Sequence, residues 1–379
     1  MESNCGIPAP KENEYKEVAW AQPSKEGKFV PVWIPRHNVG EMDVKFEVLF
    51  CGICHSDCTM GRDNPMGMVS YPFVPGHEFI GRVTEVGAKV TKVKAGDVVG
   101  VGCYVEACLN CSSCKNDEES YCDNKTISIG AKKIHGQAGN PDLPTMGGYS
   151  GSHVVHEHFA VKIPEGMDLT KVAPILCGGI TMFDPLKHWG ALDGKKMTIG
   201  IVGIGGLGTM GIKLAKAMGH DVVGISRGPA KEAMCKEKGC DFYVDSKDKD
   251  SIAKCAEKCD LILNTVSASH DLNVYLPLLA HNGTIVQMGI ALTPHPIMQH
   301  TLMRKRKSIS GSVVGGLKAT QEVVDFCHKH NILPDCQTIT AKDIDWAWDR
   351  LMSPEGNAEG IRYVIDVKAS LADKDFIPQ

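Results

Sequence analysis

The hydrophobic pattern divides most of the chain into two regions of different periodicity. From about residue 44 to residue 164, short valine-rich runs alternate apolar with polar positions and are separated by closely spaced Gly and Pro. These runs predict strands at 44–49, 79–86, 97–101 and 153–163. Many short strands with glycine turns are typical of a barrel-like, all-β domain.

From about residue 198 to residue 312, continuous apolar runs of strand length alternate with helical stretches. The predicted strands are 198–202, 221–226, 241–244, 261–264 and 284–288, and the predicted helices are 207–218, 230–238, 251–258 and 272–280. Apolar strands joined by single helices pair in parallel through right-handed crossovers. The second region is therefore predicted to be a doubly wound parallel sheet, and a last β-type run at 360–366 is available to rejoin the first region.

Composition and charge exclude several classes of function. The 379 residues are 43% hydrophobic and 23% charged, which is the balance of a globular protein of about two domains. A net charge of −4 gives no general attraction to nucleic acid or to an anionic membrane. The longest run without Asp, Glu, Lys, Arg or His, 197–212, has 16 residues, short of the ~20 that a membrane helix needs. We expect neither a nucleic-acid nor a membrane partner.

Four of the 16 cysteines form a compact metal-ligand pattern, C-x2-C-x2-C-x7-C. The four are Cys108, Cys111, Cys114 and Cys122. Four thiolates can close a tetrahedral shell around Zn²⁺ without an open position, which predicts a structural zinc. The loop 116–119 is acidic, which argues against a zinc ribbon that binds nucleic acid. With no signal peptide at the start, the cysteines that bind no metal are expected to be reduced thiols in the cytoplasm.

A catalytic zinc needs three protein ligands and an exchangeable position. Cys54, His77 and Cys177 are candidates, each flanked by glycine or by polar residues. They are 23 and 100 positions apart, so spacing alone does not identify them as a set. Taken singly, each is better interpreted as a buried structural Cys or His.

A dinucleotide-binding pattern, G-x-G-x-x-G, connects the first predicted strand of the second region to its first helix. It consists of Gly203, Ile204, Gly205, Gly206, Leu207 and Gly208. Gly203 permits a tight turn, Gly205 lets the backbone approach a pyrophosphate, and Gly208 lets the helix pack on the strand. The helix N-terminus supplies N–H groups and a positive dipole end to the phosphates.

The end of the second strand of this region distinguishes NADP from NAD. An NAD site places Asp or Glu there to bind the ribose 2′-hydroxyl. Here Ser226, Arg227 and Lys231 offer a hydroxyl, a guanidinium and an amine, which suit a 2′-phosphate and predict NADP. The alternative is that Arg227 and Lys231 are only solvated residues at a helix start.

Taken in order, these motifs resemble the medium-chain zinc alcohol dehydrogenases, most closely the cinnamyl-alcohol-dehydrogenase-like branch of NADP-dependent aldehyde reductases. The resemblance runs from about residue 15 to residue 371 and rests on 54–57, 76–78, the four-cysteine loop, 176–181 and 203–208. It implies a GroES-like β-barrel catalytic domain at 1–177, a Rossmann NADP-binding domain at 178–315, and a segment at 316–379 that rejoins the catalytic domain. It also implies a homodimer built through the Rossmann sheets.

The resemblance assigns roles to individual residues. Cys54, His77 and Cys177 would hold the catalytic zinc, Glu78 would be an exchangeable ligand, and Asp57 would orient His77 as its hydrogen-bond acceptor. The positions that match contacts to the nicotinamide half of NADP are Thr181, Thr265, Gly289, Ser312, Val313 and Val314. Residues 226–231 match the 2′-phosphate loop.

The implied reaction is reversible hydride transfer between NADP(H) and an aldehyde or primary alcohol, with zinc as Lewis acid. Ser56 is expected to contact the cofactor and to donate the proton that the alkoxide needs. Close relatives carry a relay histidine where this chain has Thr59, so that His55 or bulk water must take its place.

Two pocket positions bear on substrate choice. Relatives specialised for cinnamyl substrates have large aromatic residues where this chain has Ile127 and Val313, which predicts broad aldehyde reduction. One alternative is an NAD-dependent polyol or secondary-alcohol dehydrogenase of the same superfamily. The other is a non-catalytic, zinc-bearing binding protein.

Overall fold

The computed structural model describes residues 6–64, 67, 69–131, 143–291, 293–353 and 359–378. Within these residues the strands are β1 (Glu14–Ala21), β2 (Val30–His37), β3 (Asp43–Ile53), β4 (Phe79–Val86), β5 (Val98–Val101), β6 (Tyr104–Glu106), β7 (Thr126–Ile127), β8 (Ser152–His156), β9 (Val161–Lys162), β10 (Thr198–Val202), β11 (Asp221–Ser226), β12 (Phe242–Asp245), β13 (Cys259–Asn264), β14 (Leu279–Gln287), β15 (Ser308–Gly311), β16 (Cys336–Ile339) and β17 (Arg362–Asp366).

The helices connect these strands or flank them. They are α1 (His55–Cys58), α2 (Ser112–Lys115), α3 (Leu169–Val172), α4 (Gly178–His188), α5 (Gly206–Ala217), α6 (Glu232–Lys238), α7 (Lys249–Lys254), α8 (Gln299–Met303), α9 (Leu317–His330), α10 (Ile344–Met352) and α11 (Val367–Ala372). A π-helical turn at Thr59–Asp63 continues α1. No helix in the described ranges is both long and apolar enough to cross a membrane.

The first region forms a seven-stranded mixed sheet in the order β16-β17-β3-β4-β5-β9, with β8 also paired to β3. The strand β17 from the end of the chain pairs antiparallel with β3, so the predicted return of the tail to the first region is confirmed. The predicted strand at 153–163 is wrong as a single element. A 3₁₀ turn at Glu157–Phe159 separates β8 from β9, and β9 pairs with β5 rather than with β3.

The second region forms a six-stranded parallel sheet in the order β12-β11-β10-β13-β14-β15. The predicted fold class, a GroES-like β-barrel with a doubly wound Rossmann sheet, is confirmed. The edge strand β15 was not predicted, because its sequence, Ser-Ile-Ser-Gly, has no apolar run to mark it. The division of the chain at 177/178 and 315/316 stays a prediction.

The predicted helix at 272–280 is wrong. Two 3₁₀ turns, Leu272–Val274 and Leu276–Leu278, occupy this segment, and β14 already begins at Leu279. Pro277 has no N–H to donate and its ring clashes with the preceding turn of an α-helix, so the helical apolar spacing could not be realised.

The hydrophobic core lies in separate clusters. One fills the barrel and includes the fully buried Trp20 and Trp348, from β1 and α10. Two more cover the two faces of the parallel sheet. One of these two also contains Ile80 and Val161 from barrel strands, so the barrel and the parallel sheet pack against each other there.

Candidate functional site

Three loops at the ends of barrel and sheet elements bring four potential metal ligands together. Cys54 follows β3 and precedes α1, His77 and Glu78 immediately precede β4, and Cys177 precedes α4. One ligand atom from each of the four lies within 4.8 Å of all the others. All four side chains are buried. Residues too far apart to be recognised by spacing thus form one cluster.

Asp57 fixes the orientation of the imidazole in this cluster. The Nδ1 atom of His77 is 2.9 Å from Oδ1 of Asp57, so Nδ1–H donates to the carboxylate and Nε2 is the nitrogen available to a metal. The same carboxylate accepts hydrogen bonds from the backbone N–H of Cys54 and of Gly76. The Asp57–His77 contact that the resemblance implied is present.

Glu78 carries a buried oxygen that lacks a hydrogen-bond partner among the described residues. Its Oε1 accepts from Nη1 of Arg362 at 3.3 Å, while Oε2 has no such partner. An unpaired buried carboxylate oxygen is costly unless a cation or a donor satisfies it. A zinc ion among two thiolates, an imidazole and this oxygen fits the donor set of a catalytic site.

The protonation behaviour of the cluster also fits a bound cation. Hydrogen bonds from Cys177 and His77, against the effect of burial, place the pKa of the Cys54 thiol well below its ordinary value. Burial raises the pKa of the Glu78 carboxyl well above its ordinary value in spite of the nearby Arg362. Because metal ligands must be deprotonated, a divalent ion at this position would stabilise the ionised forms of both groups.

The four cysteines of the predicted structural site are also assembled. The Sγ atom of Cys108 lies 3.5 Å from that of Cys122 and 3.9 Å from that of Cys114, and Cys111 completes the set within 4.8 Å. Backbone N–H groups of Asn110 and Cys111 lower the pKa of Cys108 to about 6. Such donors stabilise a thiolate, which is the form that binds zinc.

The glycine motif has the geometry that its three roles require. Gly203 has φ of 88°, in the left-handed region that favours glycine. A Cβ on Gly208 would lie 2.0 Å from the carbonyl oxygen of Gly203, so helix and strand are in direct contact there. At Gly205, no atom of the described residues other than its chain neighbours lies within 4 Å of where a Cβ would be, which leaves open space at the start of α5 for a phosphate.

The predicted 2′-phosphate loop follows β11 directly. Ser226 is the last residue of β11, and Arg227 after it is exposed. Lys231 donates a hydrogen bond to the carbonyl oxygen of Ile204 in the glycine motif. Asp245, at the end of the neighbouring β12, accepts from the backbone N–H of Gly228. The Asp245 carboxylate therefore contacts the loop through a backbone hydrogen bond.

The residues predicted to face the nicotinamide lie on four elements around the glycine motif. Thr181 is in the first turn of α4, and the hydroxyl of Thr265 donates to the carbonyl oxygens of Val202 and Gly203. A Cβ on Gly289 would lie 2.2 Å from the carbonyl oxygen of Val266, which shows a close backbone approach.

The last of these elements is the segment that leaves the parallel sheet. Ser312, Val313 and Val314 follow β15, and the N–H of Ser312 extends the ladder by donating to Gln287. Val313 is 40% exposed, so it can contact a ligand.

The predicted proton donor stands beside the metal-ligand cluster. Oγ of Ser56 lies 3.6 Å from Sγ of Cys54 and is exposed. The exposed His55 has Nδ1 at 3.2 Å from Oγ1 of Thr59, the residue at the relay-histidine position. Ser56 and His55 are thus both exposed to solvent next to the buried cluster.

Sequence reasoning missed two residues at this site. Arg362, from β17, pairs with Glu78, and Cβ atoms on Gly178 and Gly206 would lie 2.6 Å and 2.8 Å from its guanidinium. Its side chain thus connects the metal ligands with the starts of α4 and α5. The second is Cys103, a thiol close enough to Cys177 that this neighbour lowers the pKa of Cys103. Neither residue carries a local pattern that could have marked it.

Comparisons with known proteins agree with this architecture. Residues 40–165 match the alcohol dehydrogenase GroES-like domain, and residues 206–329 match the zinc-binding dehydrogenase domain. Aldehyde reductase YahK of Escherichia coli is 44% identical over 340 residues, which cover 89% of this chain and 94% of that protein.

Solved structures give the same result. A cinnamyl alcohol dehydrogenase of Sorghum bicolor matches with a TM-score of 0.87 at 35% identity, covering 94% of this chain and 99% of that one. The enzyme of the same name from Helicobacter pylori, solved with NADP(H), matches with a TM-score of 0.84 at 36% identity, again covering 94% and 99%.

The fold and the two ligand clusters define a class first, the zinc-binding dehydrogenases with a GroES-like domain. Within that class, the chain belongs to the zinc-dependent alcohol dehydrogenase family and has the cinnamyl-alcohol-dehydrogenase type of architecture. It is an NADP(H)- and zinc-dependent oxidoreductase of alcohols and aldehydes. The NAD-dependent polyol dehydrogenase and the non-catalytic binding protein are not favoured.

Proposed function

We propose that this enzyme reduces a broad range of aldehydes with NADPH and oxidises the corresponding primary alcohols in the reverse direction. Cys54, His77 and Cys177 hold the catalytic zinc, with Glu78 as the exchangeable ligand. The observation that carries the proposal is the convergence of these four ligands within 4.8 Å, beside a glycine motif with open space at Gly205.

The chain positions the reactants, and the bound groups supply the chemistry. When present, zinc acts as Lewis acid on the substrate oxygen and NADPH is the hydride donor. Ser56 donates its Oγ proton to the product oxygen and takes it back during alcohol oxidation. In alcohol oxidation Ser56 passes this proton on to solvent, directly or through the exposed His55, and in aldehyde reduction solvent returns a proton to Ser56 by the same route. Asp57 keeps the His77 ring in one orientation throughout.

The cofactor lies along the carboxyl ends of the parallel strands. Its pyrophosphate binds at the start of α5, and its 2′-phosphate is bound by Ser226, Arg227 and Lys231. The loop 226–231 is basic and contains no carboxylate, which supports this choice of NADP over NAD.

The substrate pocket is proposed to lack an aromatic clamp. Ile127 is half-buried and Val313 is partly exposed, and both are aliphatic. Aliphatic walls bind apolar aldehydes without a geometric demand for a planar ring, whereas stacked aromatic residues favour one. Broad aldehyde reduction is therefore proposed over a preference for cinnamyl aldehydes.

We further propose a homodimer joined through the parallel sheets, in the cytoplasm. The strand β15 lies at the sheet edge, and the neighbouring Met298 and Met303 are 55% and 80% exposed. An exposed edge strand beside apolar side chains is suited to pairing with a second copy. The cysteines in the described part of the chain are free thiols, which agrees with a reducing compartment.

A steady-state panel of aliphatic, benzyl and cinnamyl aldehydes, run with NADPH and with NADH, tests the proposal. We expect comparable kcat/KM values across the panel and a clear preference for NADPH. Arg227→Ala should lower the NADPH-to-NADH ratio of kcat/KM by about 10- to 100-fold, because a charge-assisted contact is lost. Lys196→Ala is the control, since Lys196 pairs with Asp221 at the opposite end of β11. Failure to oxidise NADPH with any aldehyde, or a tenfold preference for NADH, would contradict the proposal.

A further inference from the structure

A buried carboxylate joins the four-cysteine lobe (residues 108–122) to the start of α9. Glu119 is 1% exposed, and its Oε2 accepts a hydrogen bond from the backbone N–H of Leu317 at 2.9 Å. Its Oε1 accepts from Nε2 of His158, in the turn between β8 and β9, at 2.7 Å. One side chain thus connects the lobe, the barrel and the helix that follows the predicted nicotinamide-binding segment.

Close backbone packing accompanies this contact. A Cβ on Gly316 would lie 1.9 Å from the carbonyl oxygen of Asp117 and 2.7 Å from Oε2 of Glu119. Lys318 pairs with the Asp117 carboxylate at 3.0 Å. Only glycine at 316 lets the lobe and the start of α9 approach so closely.

A second attachment lies one turn further along α9. The side chain of Gln321 accepts from the backbone N–H of Lys162 at 2.8 Å and donates to its carbonyl oxygen at 2.9 Å. The first turns of α9 are therefore held against the barrel at two places. The backbone just before them, at Ser312, Val313 and Val314, is thereby held at one end by the barrel and at the other by β15.

The Glu119 carboxylate suits this task electrostatically. Burial tends to raise its pKa, but the hydrogen bonds from His158 and Leu317 outweigh that effect and hold the pKa below its ordinary value. The side chain is therefore ionised at neutral pH. A negative charge at the N-terminus of the 14-residue α9 is favourable because it complements the helix dipole.

We propose that Glu119 is a positioning residue for the nicotinamide half of the cofactor. It holds the backbone that follows Val314 against the barrel, so that the segment 312–314 presents one fixed edge to the nicotinamide. The proposal rests on the proposed function, in which this segment contacts that half. Through Glu119, the four-cysteine lobe sets the geometry at the reacting end of the cofactor.

The test compares the binding of the whole cofactor with the binding of its adenosine half. Dissociation constants are measured for NADPH, by the change in its fluorescence, and for adenosine 2′,5′-bisphosphate, by calorimetry. Glu119→Ala removes the charge-assisted hydrogen bond between Glu119 and the backbone of Leu317, so that the segment 312–314 is no longer held in place. We expect NADPH binding to weaken about tenfold and binding of the bisphosphate to stay unchanged. A general loss of stability would not distinguish the two ligands.

Asp43→Ala is the matched control. Asp43 is also a buried barrel carboxylate next to a histidine and a backbone N–H: its Oδ2 lies 3.5 Å from Nε2 of His37 and accepts from Gly40 at 2.9 Å. It does not belong to the contact between the lobe and α9. Asp43→Ala should leave both dissociation constants within twofold of those of the unchanged protein.

Several outcomes overturn the inference. NADPH binding within twofold of the unchanged protein in folded Glu119→Ala would do so, and so would equal weakening of both ligands. If Glu119→Ala does not fold, Glu119→Gln replaces it. The same two dissociation constants are then compared, and we expect a smaller weakening of NADPH binding. If the unchanged protein binds the bisphosphate but not NADPH, or reduces no aldehyde, the proposed function fails instead.

Discussion

The two metal-ligand clusters of this chain are built in opposite ways. The four cysteines of the structural cluster come from one loop of fifteen residues, held by backbone N–H groups and short turns. The catalytic cluster takes Cys54 and His77 from loops that adjoin β3 and β4 and Cys177 from the entry to α4. The first is a local structure, whereas the second exists only when the barrel and the start of α4 are assembled.

Because of this difference, we expect the four-cysteine cluster to contribute to stability and the catalytic cluster to contribute to reactivity. In the described part of the chain the structural cluster contains four thiols and no other potential ligand, so a zinc bound by all four would be closed to substrate. The catalytic cluster has mixed donors and a carboxylate that can exchange, and it lies beside the open start of α5. Changes in the two clusters should therefore affect different measurements.

The largest expected effect is on activity, from Cys54→Ser. Loss of one thiolate ligand should remove the catalytic zinc and lower kcat/KM for aldehyde reduction by more than about a thousandfold, because the Lewis acid is lost. The zinc content should fall from two ions per chain to one, with the circular dichroism spectrum unchanged. Cys58→Ser, at a buried thiol outside both clusters, is the control and should keep both ions. A fully active Cys54→Ser protein would remove Cys54 from the site.

The next effect is on stability, from Cys114→Ser in the lobe. A structural zinc contributes directly to folding, so its loss should lower the melting midpoint by roughly 10 °C. Thermal denaturation with and without a chelator measures this. At low temperature, where the Cys114→Ser protein is still folded, it should retain the zinc ion of the catalytic cluster. An unchanged midpoint would show that the lobe needs no metal.

The smallest of the three effects should be on the affinity for the catalytic zinc, from Asp57→Asn. The amide keeps the size of the side chain but no longer offers a charged acceptor to Nδ1–H of His77. We expect the affinity for the catalytic zinc to fall about 10- to 100-fold, as is typical when such an outer partner is lost. Competition with a chromophoric chelator gives the affinity. An equal loss of zinc affinity at the four-cysteine cluster would contradict a specific role of Asp57 at the catalytic cluster.

The sequence predicted best those elements whose pattern is local. The strands Phe79–Val86, Thr198–Val202 and Asp221–Ser226 have the bounds that their apolar runs indicated. The glycine motif and the four-cysteine spacing likewise describe contacts within one loop or one turn.

Contacts that depend on topology could not be predicted in this way. Arg362 meets Glu78 across 284 positions, and Glu119 meets Leu317 across 198. Spacing carries no information at such separations, because the contact is set by the pairing of β17 with β3 and by the docking of α9. Cys54, His77 and Cys177 were recovered only through resemblance to a family, for the same reason.

The central claim is that the distant cluster, like the local one, holds zinc. Diffraction from crystals of the protein purified without chelator, recorded on both sides of the zinc absorption edge, tests it directly. We expect two anomalous peaks, one among Cys108, Cys111, Cys114 and Cys122 and one among Cys54, His77 and Cys177. A single peak at the four cysteines, with the other three side chains around no ion, would contradict it.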